Sequence, residues 1–291
     1  MFIYLNGEFV KAEKAGISPF DHGYLYGLGA FETFRVYQGH PFLLKDHFQR
    51  LQKALNELNV QSDLSYERMK EIVQELIKVN KAEKEEVYVR FNVSAGIGEV
   101  GLQVLTYNSP TIICFMKPLS GRLTEEKTGH IVSLKRNTPE GTFRLKSHHF
   151  MNNIFAKREV GNDPSIEGLF LTQEGFVAEG IASNIFWVKN KTVYTPSLET
   201  GILNGITRDF VLACLKRENF SFREGLFLLN DLLQADEVFV TNSIQEIVPI
   251  KSIGTKSFSG TKGPIVQSLI KMYQTNRHLL FTKEELKGKE G

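Results

Sequence analysis

Lys146 stands where a lysine could do chemistry. It follows the turn-forming stretch Asn137-Thr138-Pro139-Glu140-Gly141 and precedes the polar pair His148-His149. A strand-like run, Ile131 to Leu134, leads into this stretch, and a helix-like run from about Ser147 to Val160 leads out. Most lysines are surface residues. One at a strand-to-helix passage can face a cleft instead, lose its proton and form a Schiff base with a carbonyl cofactor or substrate. The two histidines invite a metal reading. Adjacent histidines on one helix point in different directions, and no third ligand is spaced to join them, so no metal site is expected. No Ser/His/Asp triad and no Walker motif is visible.

Other elements must position that lysine. Asn6-Gly7 between two apolar runs signals a hairpin of Phe2 to Leu5 and Glu8 to Val10. Phe31 to Tyr37 and Phe42 to Leu44 read as a second hairpin. Leu44, Phe48, Leu51, Leu55 and Leu58 recur at helical spacing. Arg50 lies on this helix off the apolar stripe, four residues after Asp46, which suggests a surface ion pair. Ser65 is placed to cap a second helix. Val87 to Ala95 and Thr111 to Lys117 read as strands. Later hairpins, 169–178 and 185–194, carry Glu179 between them. Gly201-Ile202-Leu203-Asn204-Gly205 opens a helix from Ile206 to about Lys216. Asp236 to Thr241 is strand-like and runs into the turn at Asn242-Ser243.

Hairpins mixed with isolated helices predict an α+β fold, not a doubly wound parallel sheet. No strand runs into a Gly-x-Gly-x-x-Gly helix start, which argues against a dinucleotide fold. The chain has 291 residues, enough for two moderate domains. The polar stretch 119–129 is the expected linker, between a smaller domain at 1–118 and a larger one at 130–291. Net charge is only +2 and is not blocked along the chain, so nucleic acid and anionic lipid are not expected partners. No apolar run approaches a membrane span, and no signal core is visible at the start. Cys114 and Cys214 sit in apolar runs and read as reduced core residues. A cytoplasmic location is the resulting expectation. The Lys/Glu-rich tail after Phe281 is expected to fray.

Three segments together resemble the class IV aminotransferases, the fold-type IV pyridoxal-phosphate enzymes. They are Arg144-Leu145-Lys146-Ser147, the run from Val177 through Glu179 to Phe186, and Gly201 to Arg208. Their order and spacing match over nearly the whole chain. The resemblance implies two domains with the cofactor cleft between them, pyridoxal 5'-phosphate as cofactor, and a homodimer. It implies that Lys146 is the Schiff-base lysine and that Glu179 pairs with the pyridine nitrogen, keeping the ring an electron sink. It implies that Arg50 binds the phosphate, where a planar fork suits the ligand. Ile206 and Thr207 are implied at a helix start that favours anions, and Ser243 at a second phosphate-contacting turn.

Within the family, Ser18 to Arg35 and Arg136 to Pro164 are most similar to aminodeoxychorismate lyases. The implied reaction turns 4-amino-4-deoxychorismate into pyruvate and 4-aminobenzoate, a step of folate synthesis. Phe31 occupies a position that is aromatic in several relatives. Tyr88-Val89-Arg90 is similar to a substrate-contacting pattern of branched-chain transaminases. A branched-chain or D-amino-acid aminotransferase is therefore the alternative. Against the D-amino-acid enzyme, the loop Ser94 to Val100 lacks the Arg and His that bind the substrate carboxylate there. A cofactor-binding protein without turnover is the distant third reading, disfavoured because Lys146, Glu179 and Arg50 are all present.

Overall fold

The computed structural model describes residues 1–102, 106–119 and 125–286. The chain packs as two units. The first is Met1–Ser120 with Leu145–His149 and Arg277–Thr282, and the second is Gly121–Arg144 with Phe150–Asn276 and Lys283–Gly291.

In the first unit, β1 (Phe2–Leu5) and β2 (Glu8–Lys11) form the expected hairpin. Asn6 and Gly7 both take positive φ, as a two-residue hairpin turn requires. The short helix α1 (His22–Tyr26) is capped by Asp21, whose carboxylate accepts from the Gly23 N–H. β3 (Gly29–Tyr37) and β4 (His40–Pro41) follow. The second hairpin thus closes two residues earlier than expected. Phe42 to Leu44 is not its strand: Leu43 turns into the left-handed region at φ 55 and leads into helix α2 (Leu44–Glu57). Helix α3 (Tyr66–Val79) is capped by Ser65, which accepts from the Arg68 N–H. β5 (Glu86–Ser94) and β6 (Thr111–Pro118) complete a sheet of order β2-β1-β6-β5-β3-β4. One face of it carries Ala30, Phe34, Val36, Val87, Val89, Phe91 and Val93, and α2 and α3 bury their apolar stripes there.

The second unit begins with β7 (Lys127–Ile131), so the strand lies earlier than the expected Ile131 to Leu134. Helix α4 is Met151–Val160, not Ser147 to Val160. Residues 146–148 are instead extended against β3 in the first unit. The Phe31 N–H donates to the Lys146 carbonyl and the His148 N–H to the Gly29 carbonyl. Tertiary pairing has overridden the helical pattern there. It also places Lys146 with the first unit and not with the second half of the chain. Of the expected linker 119–129, residues 120–124 lie outside the described residues and 127–129 belong to β7. The end of the tail, 287–291, also lies outside them.

β8 (Ile166–Leu171) and β9 (Val177–Gly180) pair antiparallel, as do β10 (Asn184–Lys189) and β11 (Thr192–Pro196). Helix α5 (Ile206–Arg217), β12 (Phe222–Gly225), helix α6 (Leu229–Leu233), β13 (Glu237–Asn242), β14 (Glu246–Ile253), β15 (Lys256–Ser257) and helix α7 (Pro264–Asn276) follow. The sheet order is β12-β11-β10-β13-β14-β7-β8-β9, with β15 on β14. The β14–β7, β7–β8 and β11–β12 pairings are parallel and the others antiparallel. A core of Leu169, Val177, Ile185, Trp187, Val238, Val240 and Ile250 fills one side. Phe186 and Phe239, directly opposite in register, stack with centroids 5.1 Å apart. The mixture of hairpins and helices is the expected α+β architecture.

Candidate active site

In the second unit, the end of β9 carries Glu179, buried and surrounded by donors. Arg136 donates through Nε to its Oε1 at 2.8 Å, and the Nε of Arg144 stands 3.9 Å from the same oxygen. Its Oε2 accepts from the Leu203 N–H at 3.0 Å and from Asn184 Nδ2 at 3.4 Å. Three donors from three separate segments, and a second cation nearby, converge on one carboxylate. The simple hairpin-end charge that the sequence could suggest is excluded, because a solvated glutamate needs no such shell.

Three residues after Leu203 the chain enters α5, a span of at most about 10 Å. The helix starts at Ile206 and Thr207 behind Gly205, with no side chain capping it. Its first N–H groups carry no side-chain cap, and with the helix dipole they supply what an anion site requires. The Thr207 and Ser243 hydroxyls lie 3.4 Å apart, so the turn after β13 meets this helix start. Thr241, in register with Asn184, has a buried Oγ1 without a hydrogen-bond partner. The backbone of Gly205 is pressed against Asn184: a Cβ there would stand 2.0 Å from its Oδ1.

In the first unit, Lys146 and Phe31 come together. The Lys146 Nζ lies 4.7 Å from the Phe31 ring centroid. The Arg90 guanidinium covers the same ring at 3.6 Å, and the His148 ring stacks on it at 6.1 Å. Burial pushes His148 down to about 4, and the neighbouring Arg90 charge acts in the same direction. Tyr88 lies two positions from Arg90 on β5, and the Lys117 ammonium stands 5.1 Å from its ring.

Arg50 is not simply a partner of Asp46. Its Nε and Nη2 donate to the two oxygens of Glu32, at 2.8 and 2.6 Å, while Asp46 accepts from the Thr282 hydroxyl. His47 reaches Glu32 as well, at 2.7 Å through Nδ1. Burial alone would raise the Glu32 carboxyl, but Arg50 and His47 together hold it down to about 2. Burial keeps His47 below its ordinary value. Its Nδ1 faces a carboxylate oxygen that can only accept, so Nδ1 carries the proton of that bond. Glu32, His47 and Arg136 were not singled out from sequence. For Glu32 a signal existed: it shares the inward phase of β3 with Ala30, Phe34 and Val36, where a lone carboxylate needs a cation.

The amino-transferase class IV family model matches residues 29–253. The chain belongs to the class IV aminotransferase family. A relative named aminodeoxychorismate lyase, from Bacillus subtilis (strain 168), is 46% identical over 94% of this chain and 93% of its own length. A putative branched-chain-amino-acid aminotransferase from Methanocaldococcus jannaschii is 36% identical over 95% of this chain and 96% of its own. A solved branched-chain aminotransferase from Thermoproteus uzoniensis, with norvaline, superposes with a TM-score of 0.85 at 29% identity. The match covers 94% of this chain and 93% of that one. The expected fold-type IV architecture is thereby borne out.

The second unit fits the family's cofactor by its own chemistry. A buried carboxylate suits a ring nitrogen, and an uncapped helix start with two hydroxyls suits a phosphate. Among the described residues, no group of three metal-ligating side chains is present.

Proposed function

We propose that this chain is a pyridoxal-phosphate-dependent 4-amino-4-deoxychorismate lyase that releases pyruvate and 4-aminobenzoate. The observation that carries the substrate choice is the 46% identity to the Bacillus subtilis lyase across nearly the full length of both chains. The surroundings of Glu179 and Thr207 support the cofactor.

In this reading the bound cofactor supplies an aldehyde for amine capture and a ring that withdraws electrons. Lys146 would hold it through Nζ. Glu179 would accept from the pyridine nitrogen. The N–H groups at Ile206 and Thr207, with the Thr207 and Ser243 hydroxyls, would bind the phosphate, with Arg50 assisting. Phe31 gives the site an apolar wall. Lys146 then serves as the base that takes the substrate ring proton. The C–O bond to the enolpyruvyl group breaks, the six-membered ring becomes aromatic, and the departing enolpyruvate gains a proton to become pyruvate. Atoms balance without water.

A transaminase is the second reading. It is favoured by Arg90, whose cation beside Phe31 could receive a substrate carboxylate, with Tyr88 beside it on the strand. A side-by-side assay separates the two. The expected outcome is pyruvate and 4-aminobenzoate from aminodeoxychorismate. Glutamate formation from 2-oxoglutarate and branched-chain or D-amino acids, with no pyruvate in the first arm, would reject the lyase.

The same reading makes the protein a cytoplasmic homodimer. Tyr24, Ile97, Val100 and Leu102 in the first unit are large, apolar and at least two-thirds exposed, which suits coverage by a second copy. Cys114 and Cys214 are free, buried thiols, as a reducing compartment allows. Among the described residues no helix is long and apolar enough to cross a membrane.

A further inference from the structure

We propose that Arg136, seconded by Arg144, fixes the proton between Glu179 and the cofactor's ring nitrogen on the nitrogen side. Arg136 is then a positioning residue of the site. The inference rests on the reading that Glu179 faces that nitrogen.

The two oxygens of Glu179 are treated differently. Oε2 meets two neutral donors, the Leu203 N–H and the Asn184 amide. Oε1 meets two guanidinium groups, at 2.8 and 3.9 Å. If the carboxylate needed only an anchor, the neutral pair would serve. The cations do something that neutral donors do not.

Arg136 is also held from behind. Its Nη1 donates to the Oδ1 atoms of Asn152, Asn137 and Asn153, at 2.6, 3.2 and 3.4 Å. Its guanidinium carbon lies 5.2 Å from the centroid of the Phe170 ring. Asn152 and Asn153 open α4, and Asn153 in turn donates to the Ile181 carbonyl just beyond β9. The fork therefore cannot swing away from Glu179 without breaking several bonds. Placing a second cation beside it has a cost. Arg144 is brought down to about 10 by burial first and by Arg136 second, with Glu179 acting in the opposite direction. Two cations are crowded against one acid.

The physical consequence follows from charge. Where a buried acid meets a ring nitrogen, low dielectric favours the neutral pair, with the proton on the acid. A cation beside the acid favours the carboxylate and pushes the proton across. With the proton on the nitrogen, Glu179 stays ionised against both guanidinium groups. The ring then carries the charge that its electron-withdrawing role requires. Arg136 contributes to that role without touching a reacting atom.

The test is 15N NMR of the holoenzyme reconstituted with pyridoxal phosphate labelled at the ring nitrogen. Arg136→Gln removes the charge and keeps a donor. Its 15N resonance is expected to move toward the unprotonated limit, for about a tenfold fall in the ratio of nitrogen-bound to oxygen-bound proton. Arg136→Lys, which keeps the charge, should recover most of the parent position. Glu179→Gln should go to the unprotonated limit. If Glu179→Gln leaves the resonance in place, the reading of Glu179 has failed. If Glu179→Gln moves it and Arg136→Gln does not, the proposal for Arg136 is overturned. Should Arg136→Gln fail to fold by circular dichroism, Arg144→Gln is read in the same direction by the same criterion.

Discussion

At the scale of the residue, β3 sorts two kinds of charge. Phe31 and Glu32 are neighbours on a strand and point to opposite faces. On the Phe31 side stand the Lys146 nitrogen and Arg90. On the Glu32 side stand His47 and Arg50. Lys146 thus shares one aromatic ring with a second cation. Borohydride reduction of the yellow holoenzyme should fix the cofactor to Lys146, and peptide mass spectrometry reads the site directly. Lys146→Ala should retain the fold by circular dichroism and lose turnover below detection. An adduct on a different lysine would remove Lys146 from the chemistry. The lysine was legible in the sequence because it follows a Pro/Gly turn and lies inside a family motif. Arg136 was not, because its meaning depends on Glu179, Asn152 and Asn153, which are brought to it only by folding.

Elements decide how those residues are aimed. The helix start of α5 is offered to an anion because its cap position is a glycine that brings no side chain of its own. Gly205 has an ordinary φ of −72, so freedom of the backbone is not why glycine stands there. Space is the reason: a Cβ would press on the Asn184 amide, which also bonds Glu179 and the Leu203 carbonyl. Gly205→Ala should therefore do two things together. It should destabilise the protein by roughly 1–3 kcal/mol, the ordinary cost of overpacking, read by chemical denaturation. It should also raise the dissociation constant of the cofactor, read by titrating the apoprotein. Unchanged cofactor affinity would show that Asn184 does not transmit strain to the site. Elements with strong local signals were legible: the Asn6-Gly7 hairpin, the Ser65 cap and the start of α5. The extended segment at 146–148 was not, because it has no strand signal of its own and is straight only because β3 pairs with it. The short apolar run Phe42 to Leu44 was ambiguous for a different reason. Three apolar residues fit a strand or a helix entry equally well, and the left-handed Leu43 decides between them.

The whole molecule feels the Glu32 cluster through its stability. Glu32 is buried at the centre of the first unit with Arg50 and His47 against it, on the face where α2 packs. Its carboxyl is held at about 2 in the folded chain, against 4.5 as the ordinary value. The unfolded chain therefore takes up a proton first as the solution is acidified. Stability from this group is complete above about pH 4.5, falls as the pH drops, and is gone below about 2. His148 acts higher on the scale. Held near 4 when folded and 6.5 otherwise, it also binds its proton more readily in the unfolded chain, so stability begins to fall below about pH 6.5. Denaturant midpoints measured from pH 8 to pH 3 should show both slopes, the histidine slope first. His148→Gln should reduce the slope below pH 6.5, leaving the part due to His47, which burial also lowers, and should leave the acid segment in place. Arg50→Ala should destabilise the protein by on the order of 3–5 kcal/mol at neutral pH, for a buried carboxylate left with one partner fewer, and by less as the pH falls. It should also shrink the acid segment, because the unpaired Glu32 would no longer be held so far below its ordinary value. An Arg50→Ala variant with the parent's acid slope would mean that His47 alone sustains the charge of Glu32. The fork of Arg50 would then serve the phosphate with little part in the stability of the unit that carries it.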